Sequence, residues 1–158
     1  MFGLFKSTLF SDPQLGELLR SRGSWRGSIT FYEVSTSLVV SGDRNGPDSQ
    51  AMQEARALSS QFPAWKQIIE NALFEHYTPF AEALAAGELL RQSEPIPILE
   101  APGQVWPHVT LVFVSVRPLG IKLTTELGYT TAWDEEHILG ARFQAGRFIE
   151  LCGSVMPA

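Results

Sequence analysis

The sequence predicts an α+β protein built on a mostly antiparallel sheet. Three observations carry this prediction: apolar residues alternate near the N-terminus, helical spacing runs through the middle of the chain, and strand patterns return from residue 109 onward. Strands followed by helices and then strands are typical of folds that keep their helices apart from an antiparallel sheet. With 158 residues, 44% of them apolar, the chain can bury its own core. We therefore expect a single domain over residues 1–158.

The first predicted element is an N-terminal hairpin. Trp25, Ile29 and Phe31 alternate with polar residues, which is the pattern of a half-buried strand. Residues 38–40 are predicted to form the returning strand, with the turn at residues 34–37. The segment before Trp25 is interpreted as a polar entry.

Two central helices follow. The first is predicted from Pro47 to about Ser60, because proline suits the first position of a helix. Pro63 is predicted to open the second helix, which carries an apolar stripe at helical spacing. Pro79 should kink or break this helix near Thr78, and Gly87 should end it.

A stretch with four prolines, from Gln92 to Pro107, comes next. Such a stretch makes few sheet hydrogen bonds, so we expect a long loop that crosses the surface. The alternative is a linker, which would leave only a very small second domain.

The C-terminal third predicts a run of four to five strands. Apolar runs separated by glycine or proline turns support this prediction, and Gly146 is placed to form the last hairpin turn. The predicted strands are Val109–Val116, Ile121–Leu127, Tyr129–Trp133, Ile138–Phe143 and Phe148–Cys152.

Charge and composition exclude several classes of protein. The net charge is −5 and the twelve Lys and Arg residues are scattered, so we expect no nucleic-acid partner. No apolar run approaches the roughly 18 residues of a membrane span, and the opening residues lack the pattern of a signal peptide. Because Cys152 is the single cysteine, a reducing compartment is favoured, and a cytoplasmic location is expected. No phosphate-binding glycine loop is present, and no cofactor is predicted.

One segment concentrates groups that could carry chemistry. Trp133, Asp134, Glu135, Glu136 and His137 lie between two predicted strands. Carboxylate and imidazole are ligands for Zn²⁺ or Mn²⁺, and a carboxylate can also orient a histidine as a general base. Neighbours on a turn usually point apart, so the simplest interpretation is a turn in which the aspartate binds backbone N–H groups and the tryptophan packs inward. A binding surface made of these five residues is the second interpretation. No catalytic residue or metal ligand is assigned.

Three further residues, His76, His108 and Cys152, carry side chains of the kind found in metal or catalytic sites. His76 lies on the apolar face of the second predicted helix, so a hydrogen-bonded core histidine is expected. His108 precedes a strand and would approach His137 only if the two strands were neighbours. Cys152 is expected to be a small buried strand residue.

Two stretches resemble a known kind of family. They are Phe10–Leu18 with Trp25–Gly27, and Trp133–Gly140 with the closing hairpin. Together they resemble a family of uncharacterised bacterial domains with an F-x-D-P-x-L-G opening and a W-D-x-E-H turn. The resemblance implies a small cytosolic protein, and some similar domains resemble immunity proteins that neutralise a toxin.

The leading hypothesis is a non-enzymatic, immunity-like protein-binding module. An acidic surface around Asp134, Glu135 and Glu136 would meet a basic protein partner and speed its capture. The first alternative is a metal-assisted hydrolase using Asp134, Glu136 and His137 with His108 or His76. The second alternative is a structural subunit that forms homo-oligomers through an apolar edge or the proline-rich loop.

Overall fold

The computed structural model of the protein describes residues 8–88 and 92–158. Within these ranges the chain forms one long α-helix, one 3-10 helix and ten strands, two of them only two residues long. The strands are β1 (Leu9–Asp12), β2 (Gly16–Ser21), β3 (Ser24–Phe31), β4 (Val34–Val40), β5 (Gly42–Asp43), β6 (Gly46–Pro47), β7 (Val109–Leu119), β8 (Lys122–Thr131), β9 (Ile138–Gln144) and β10 (Arg147–Val155). The α-helix α1 covers Ser49–Ala85 and the 3-10 helix covers Pro102–His108.

Eight strands form a single sheet in the order β1-β2-β3-β4-β7-β8-β9-β10. All neighbours are antiparallel except β4 and β7, which are parallel because α1 carries the chain back across the sheet between them. The α+β class with a mostly antiparallel sheet is therefore confirmed. The four C-terminal strands β7–β10 also agree with the predicted run. Residues 129–133 do not form a separate strand, since β8 runs through Gly128 as far as Thr131.

The predicted polar entry before Trp25 is wrong, because β1 and β2 occupy it. Each of these strands buries only one side chain, so neither shows the alternation that marks a half-buried strand. Asp12 organises the turn between them by accepting N–H bonds from Gln14 and Leu15 at 3.0 and 2.9 Å. Its other carboxylate oxygen pairs with Arg56 of α1 at 2.6 Å, which ties the sheet edge to the helix.

The predicted hairpin exists as β3 and β4, but its turn lies earlier than predicted. Tyr32 and Glu33 are the turn residues, with φ of 49° and 62°. Of the polar residues that suggested a turn at 34–37, Ser35 and Ser37 lie instead on the exposed face of β4. There Ser35 is bonded to Thr30 of β3, with 2.7 Å between the two hydroxyl oxygens.

The two predicted central helices are a single helix of 37 residues. Pro63 and Pro79 both lie inside it, so the predicted helix start and the predicted break near Thr78 are wrong. An interior proline costs about 3 kcal/mol, but the buried stripe continues on both sides of Pro63 and its burial outweighs that cost. The helix ends at Ala85, and Gly87 follows in the left-handed conformation as predicted.

The core lies between α1 and one face of the sheet. Trp65 of the helix stacks on Phe143 of β9 with 3.8 Å between ring centroids. The proline-rich segment packs against the same core, since Ile96, Leu99 and Val105 are buried. The Tyr77 hydroxyl fixes that segment by donating to the Pro97 carbonyl and accepting from the Leu99 N–H. No helix within residues 8–88 and 92–158 is long and apolar enough to cross a membrane.

Candidate functional site

The residues singled out by sequence lie in the connection between β8 and β9 and form a histidine–aspartate cluster, defined here as His76, Trp133, Asp134 and His137. Trp133 is fully buried, and its indole N–H donates to Nδ1 of His76 at 3.0 Å. His76 comes from α1, so this bond joins the helix to the end of β8. Tyr77 packs edge-on against the same indole, with 5.4 Å between the ring centroids.

Asp134 is the centre of the cluster and is only 6% exposed. Its N–H donates to the Thr131 hydroxyl at 3.1 Å, and its carboxylate accepts the Glu136 N–H at 3.2 Å. Nδ1 of His137 lies 3.0 Å from both carboxylate oxygens. Nε2 of His76 lies 3.9 Å from the same carboxylate. Two of the three histidines therefore converge on one aspartate, which sequence spacing could not show.

The third histidine contributes only its backbone to this region. The His108 carbonyl accepts the Ala132 N–H at 2.9 Å. The two glutamates of the segment, Glu135 and Glu136, are exposed. Glu135 accepts the Ser93 N–H, and the Gln92 side chain donates to the Trp133 carbonyl, so the turn is fastened to the start of the proline-rich segment.

The chemistry of His76 argues against a role as a metal ligand. Its Nδ1 lone pair accepts the Trp133 N–H, so the proton of the neutral imidazole is on Nε2, on the side of Asp134. Neither ring nitrogen then has a lone pair free for a cation. Among the residues that the structure describes, no three His, Cys, Asp or Glu side chains are arranged to hold a metal ion.

The surroundings of His76 also disfavour its protonation. Burial lowers its pKa below the ordinary 6.5, and the charge of His137 acts in the same direction, while Asp134 opposes both. A protonated imidazole would in addition present an N–H to the Trp133 N–H and lose that bond. His76 is therefore a neutral hydrogen-bond acceptor at pH 7.

A second region, which sequence analysis did not single out, is an open aromatic cleft. It lies where the parallel strands β4 and β7 begin, since their pairing starts only at Ser37 and Phe113. Before that point, residues 34–36 and residues 109–111 form no ladder with each other. The cleft has a volume of about 560 Å³. Its lining consists of Phe31, Tyr32, Val34, Phe62, Pro63, Lys66, Trp106, Val109, Thr110, Leu111 and Tyr129.

Five aromatic rings from four separate parts of the chain form the walls of this cleft. Phe62 of α1 lies 5.1 Å from Phe31 of β3 and 5.4 Å from Tyr32 of the hairpin turn, measured between ring centroids. Trp106 of the 3-10 helix lies 6.3 Å from Phe62 and 6.3 Å from Tyr129 of β8. At the mouth, Tyr32 is 58% exposed and Val34 is 42% exposed.

Lys66 and Tyr129 bring polar groups to the lining of the cleft. Among the described residues, Lys66 is the one charged residue in the lining, and its Nζ lies 5.5 Å from the centroid of the Trp106 ring. The Trp106 indole is itself oriented by a 2.7 Å bond from its N–H to Glu70. Tyr129 is 3% exposed, and burial raises the pKa of its hydroxyl well above the ordinary 10.

The sequence signals for the cleft were weak. Trp106 stands between a valine and a proline, which marks no site, and Tyr32 continues the alternation of the predicted strand.

The fold and these two regions define a class of protein: a mixed sheet covered by one long helix, with a buried polar cluster at one connection and an open aromatic cleft at the parallel junction. The chain belongs to a family described as a domain of unknown function, DUF6985, whose family model matches residues 14–155. The resemblance to an uncharacterised domain family is confirmed at that level. Neither the curated proteins nor the solved structures contain a match to this chain.

Proposed function

We propose that this chain is a non-enzymatic protein-binding module whose partner docks in the aromatic cleft. The cleft itself is the observation that carries the proposal. Its volume lies within the roughly 300–1,000 Å³ that accommodates a ligand or an anchoring side chain. Large aromatic residues contribute most of the energy at protein interfaces, and here a tyrosine and a tryptophan stand at the surface of the cleft.

Backbone strain at the mouth supports the same function. Three hairpins in the described residues turn through two consecutive left-handed residues, and two of them use glycine as the second one, Gly23 and Gly146. The third uses Tyr32 and Glu33, so both of its left-handed residues carry side chains and both are sterically strained. Such strain is commonly kept where it positions a functional group. Here it holds the tyrosine ring over Phe62.

An immunity-like role with a basic partner is the more specific form of this proposal. The net charge of −5 supports it, because an acidic protein attracts a basic one over long distances. Asp134 is buried and bonded to two residues of its own turn, so the exposed carboxylates of that turn are Glu135 and Glu136. A basic partner would be steered by overall charge and anchored in the cleft.

General-base chemistry is the second candidate, and one contact favours it. Asp134 binds Nδ1 of His137, which leaves Nε2 free on a side chain that is 43% exposed. A hydrolase would also need a nucleophile or a bound water beside that nitrogen. Within the described chain no Ser, Thr or Cys side chain hydrogen-bonds to His137, so binding is the better supported function.

A matched pair of surface variants tests the proposal. Tyr32→Ser removes an exposed ring at the cleft, and Ile121→Ser removes an even more exposed apolar side chain outside it, since Ile121 is 98% exposed at the β7–β8 turn. For a partner identified by cross-linking, we expect Tyr32→Ser to weaken binding by about tenfold or more, as for an interface anchor. Ile121→Ser should bind as the wild type does. Equal binding by both variants would contradict docking in the cleft.

Two further measurements separate the forms of the proposal. Glu135→Gln with Glu136→Gln should slow association at low salt if the partner is basic, whereas an unchanged rate would remove the acidic turn from the contact. Light scattering over a range of concentrations tests homo-oligomerisation. If the mass doubles and Tyr32→Ser abolishes the doubling, the partner in the cleft is a second copy of this chain.

A further inference from the structure

We infer that the aromatic cleft recognises an apolar side chain carried beside a free carboxylate, which is the chemistry of the C-terminal residue of a protein chain. This inference rests on the proposed function and names what the cleft would bind.

The charge distribution of the cleft is the first reason. Among the described residues that line the cleft, Lys66 is the only charged one, while Glu70, outside the lining, accepts the N–H of the Trp106 indole. No ion pair to Lys66 exists within residues 8–88 and 92–158. Lys66 is itself exposed, so it attracts an anion through a charge that water partly screens, and the apolar walls supply the rest of the contact. The contact with Trp106 keeps the ammonium group at the cleft.

The Tyr129 hydroxyl is the second reason. The ring is buried and lines the cleft, yet no hydrogen bond joins its hydroxyl to another group in the described residues. The hydroxyl is not among the buried polar atoms that lack a partner, so it is open to the cleft, where a ligand oxygen can reach it. Because burial raises the pKa of this hydroxyl, it is protonated at neutral pH and can donate to a carboxylate oxygen.

The shape of the cleft is the third reason, and it favours a chain end over a continuous chain. Residues 34–36 and 109–111 form no ladder with each other, and side chains from both segments line the cleft, which is where an extended peptide would lie. The gap closes at its inner end, where the Thr36 hydroxyl donates to the Leu111 carbonyl at 3.4 Å and the β4–β7 pairing begins. The cleft is therefore closed at the end where the two strands pair, which suits a chain end better than a continuous peptide.

This chemistry is compatible with a basic partner. Every protein chain ends in a carboxylate unless it is modified, whatever its net charge. Overall attraction and local recognition would then use different groups, with the acidic surface acting at long range and Lys66 acting on contact.

Short peptides of known sequence test the inference directly. The probes are two pentapeptides of identical sequence ending in phenylalanine, one with a free carboxylate and one with a C-terminal amide. A third peptide places Phe-Asp in its middle and ends in an amide. Binding is followed by NMR through the tryptophan indole N–H resonances. We expect the free acid to shift the Trp106 resonance and to bind about tenfold more tightly than the amide, the range of one charge-assisted hydrogen bond.

Lysine variants test whether Lys66 causes the difference in affinity between the free-acid and amide peptides. Lys66→Met should remove the difference between acid and amide, while Lys66→Arg should retain it. Lys122→Met removes an exposed lysine outside the cleft and should change neither affinity.

The outcomes are distinguishable. If acid and amide bind equally to the wild type, the carboxylate inference is overturned while docking in the cleft stands. If the internal Phe-Asp peptide binds as tightly as the free acid, an acidic side chain is the ligand and the chain-end inference is overturned. If no peptide shifts the Trp106 resonance at about 5 mM, where a contact worth only 3 kcal/mol would still be visible, both the inference and the proposed function fail.

Discussion

The histidine–aspartate cluster and the aromatic cleft differ in how completely their groups are satisfied. In the cluster, the Trp133 N–H, the Asp134 carboxylate and Nδ1 of His76 all have partners within the protein. In the cleft, Lys66 and the Tyr129 hydroxyl form no ion pair or hydrogen bond with the described residues, and Tyr32 is largely exposed. A polar group that is already bonded stabilises the fold, whereas one without a partner is available to a ligand. Apart from Nε2 of His137, the polar groups of the cluster are therefore engaged within the fold, and the cleft is the stronger candidate for function.

The two regions also differ in how the sequence encodes them. Three of the cluster's four residues lie within the five-residue segment 133–137, and only His76 comes from elsewhere. The cleft takes two adjacent rings from the end of β3 and its turn, and one ring each from α1, the 3-10 helix and β8. Polar residues grouped in one segment attract attention in a sequence, while a surface assembled from four separate segments does not.

The largest effect expected from this comparison is the loss of stability in Trp133→Ala. Removing a fully buried tryptophan leaves a cavity and an unpaired Nδ1 on His76, so the free energy of unfolding should fall by about 3–5 kcal/mol. Urea denaturation at pH 7.5 measures this change.

Tyr32→Ala is the matched substitution in the cleft. Because 58% of that side chain is exposed, its removal should lower the free energy of unfolding by only about 1 kcal/mol or less. Equal losses in the two variants would mean that the cleft is as much a part of the core as the cluster, and the distinction between them would fail.

Sequence patterns predicted the fold better than the site, and the reason is physical. The alternation at Trp25, Ile29 and Phe31 records burial on one face of a strand, which local spacing can show. The convergence of His76 and His137 on Asp134 depends on where α1 crosses the sheet, which no local pattern contains. Proline statistics also failed at Pro63, because packing of the helix against the sheet outweighed a local preference.

The second expected effect is a loss of stability in mild acid that depends on His76. Its pKa is lower in the folded protein than the ordinary 6.5 of the unfolded chain. Below about pH 6.5 the unfolded state therefore binds a proton that the folded state does not, and the free energy of unfolding falls as the pH falls towards the folded pKa. One such group contributes at most about 1.4 kcal/mol per pH unit. Urea denaturation at pH 7.5 and pH 5.5 measures the loss.

His76→Asn isolates this contribution. The asparagine oxygen can still accept the Trp133 N–H but cannot be protonated, so the difference in stability between pH 7.5 and 5.5 should shrink. Asp12 does not interfere in this range. Arg56 lowers its pKa below the ordinary 3.8, so stability from that pair is present above 3.8 and is lost only in stronger acid. An unchanged pH dependence in His76→Asn would show that other groups cause the loss.

The smallest expected effect is a gain in stability at the mouth of the cleft. Glu33 has φ of 62°, where a side chain is strained and glycine is not, so Glu33→Gly should raise the free energy of unfolding by about 0.5–1 kcal/mol. Ser35→Gly, two residues later on β4, is the control and should lower it by a similar amount, because glycine weakens a strand. Urea denaturation of both variants checks the two signs. A loss of stability in Glu33→Gly would show that this turn stores no strain, and the argument that strain positions Tyr32 for binding would no longer hold.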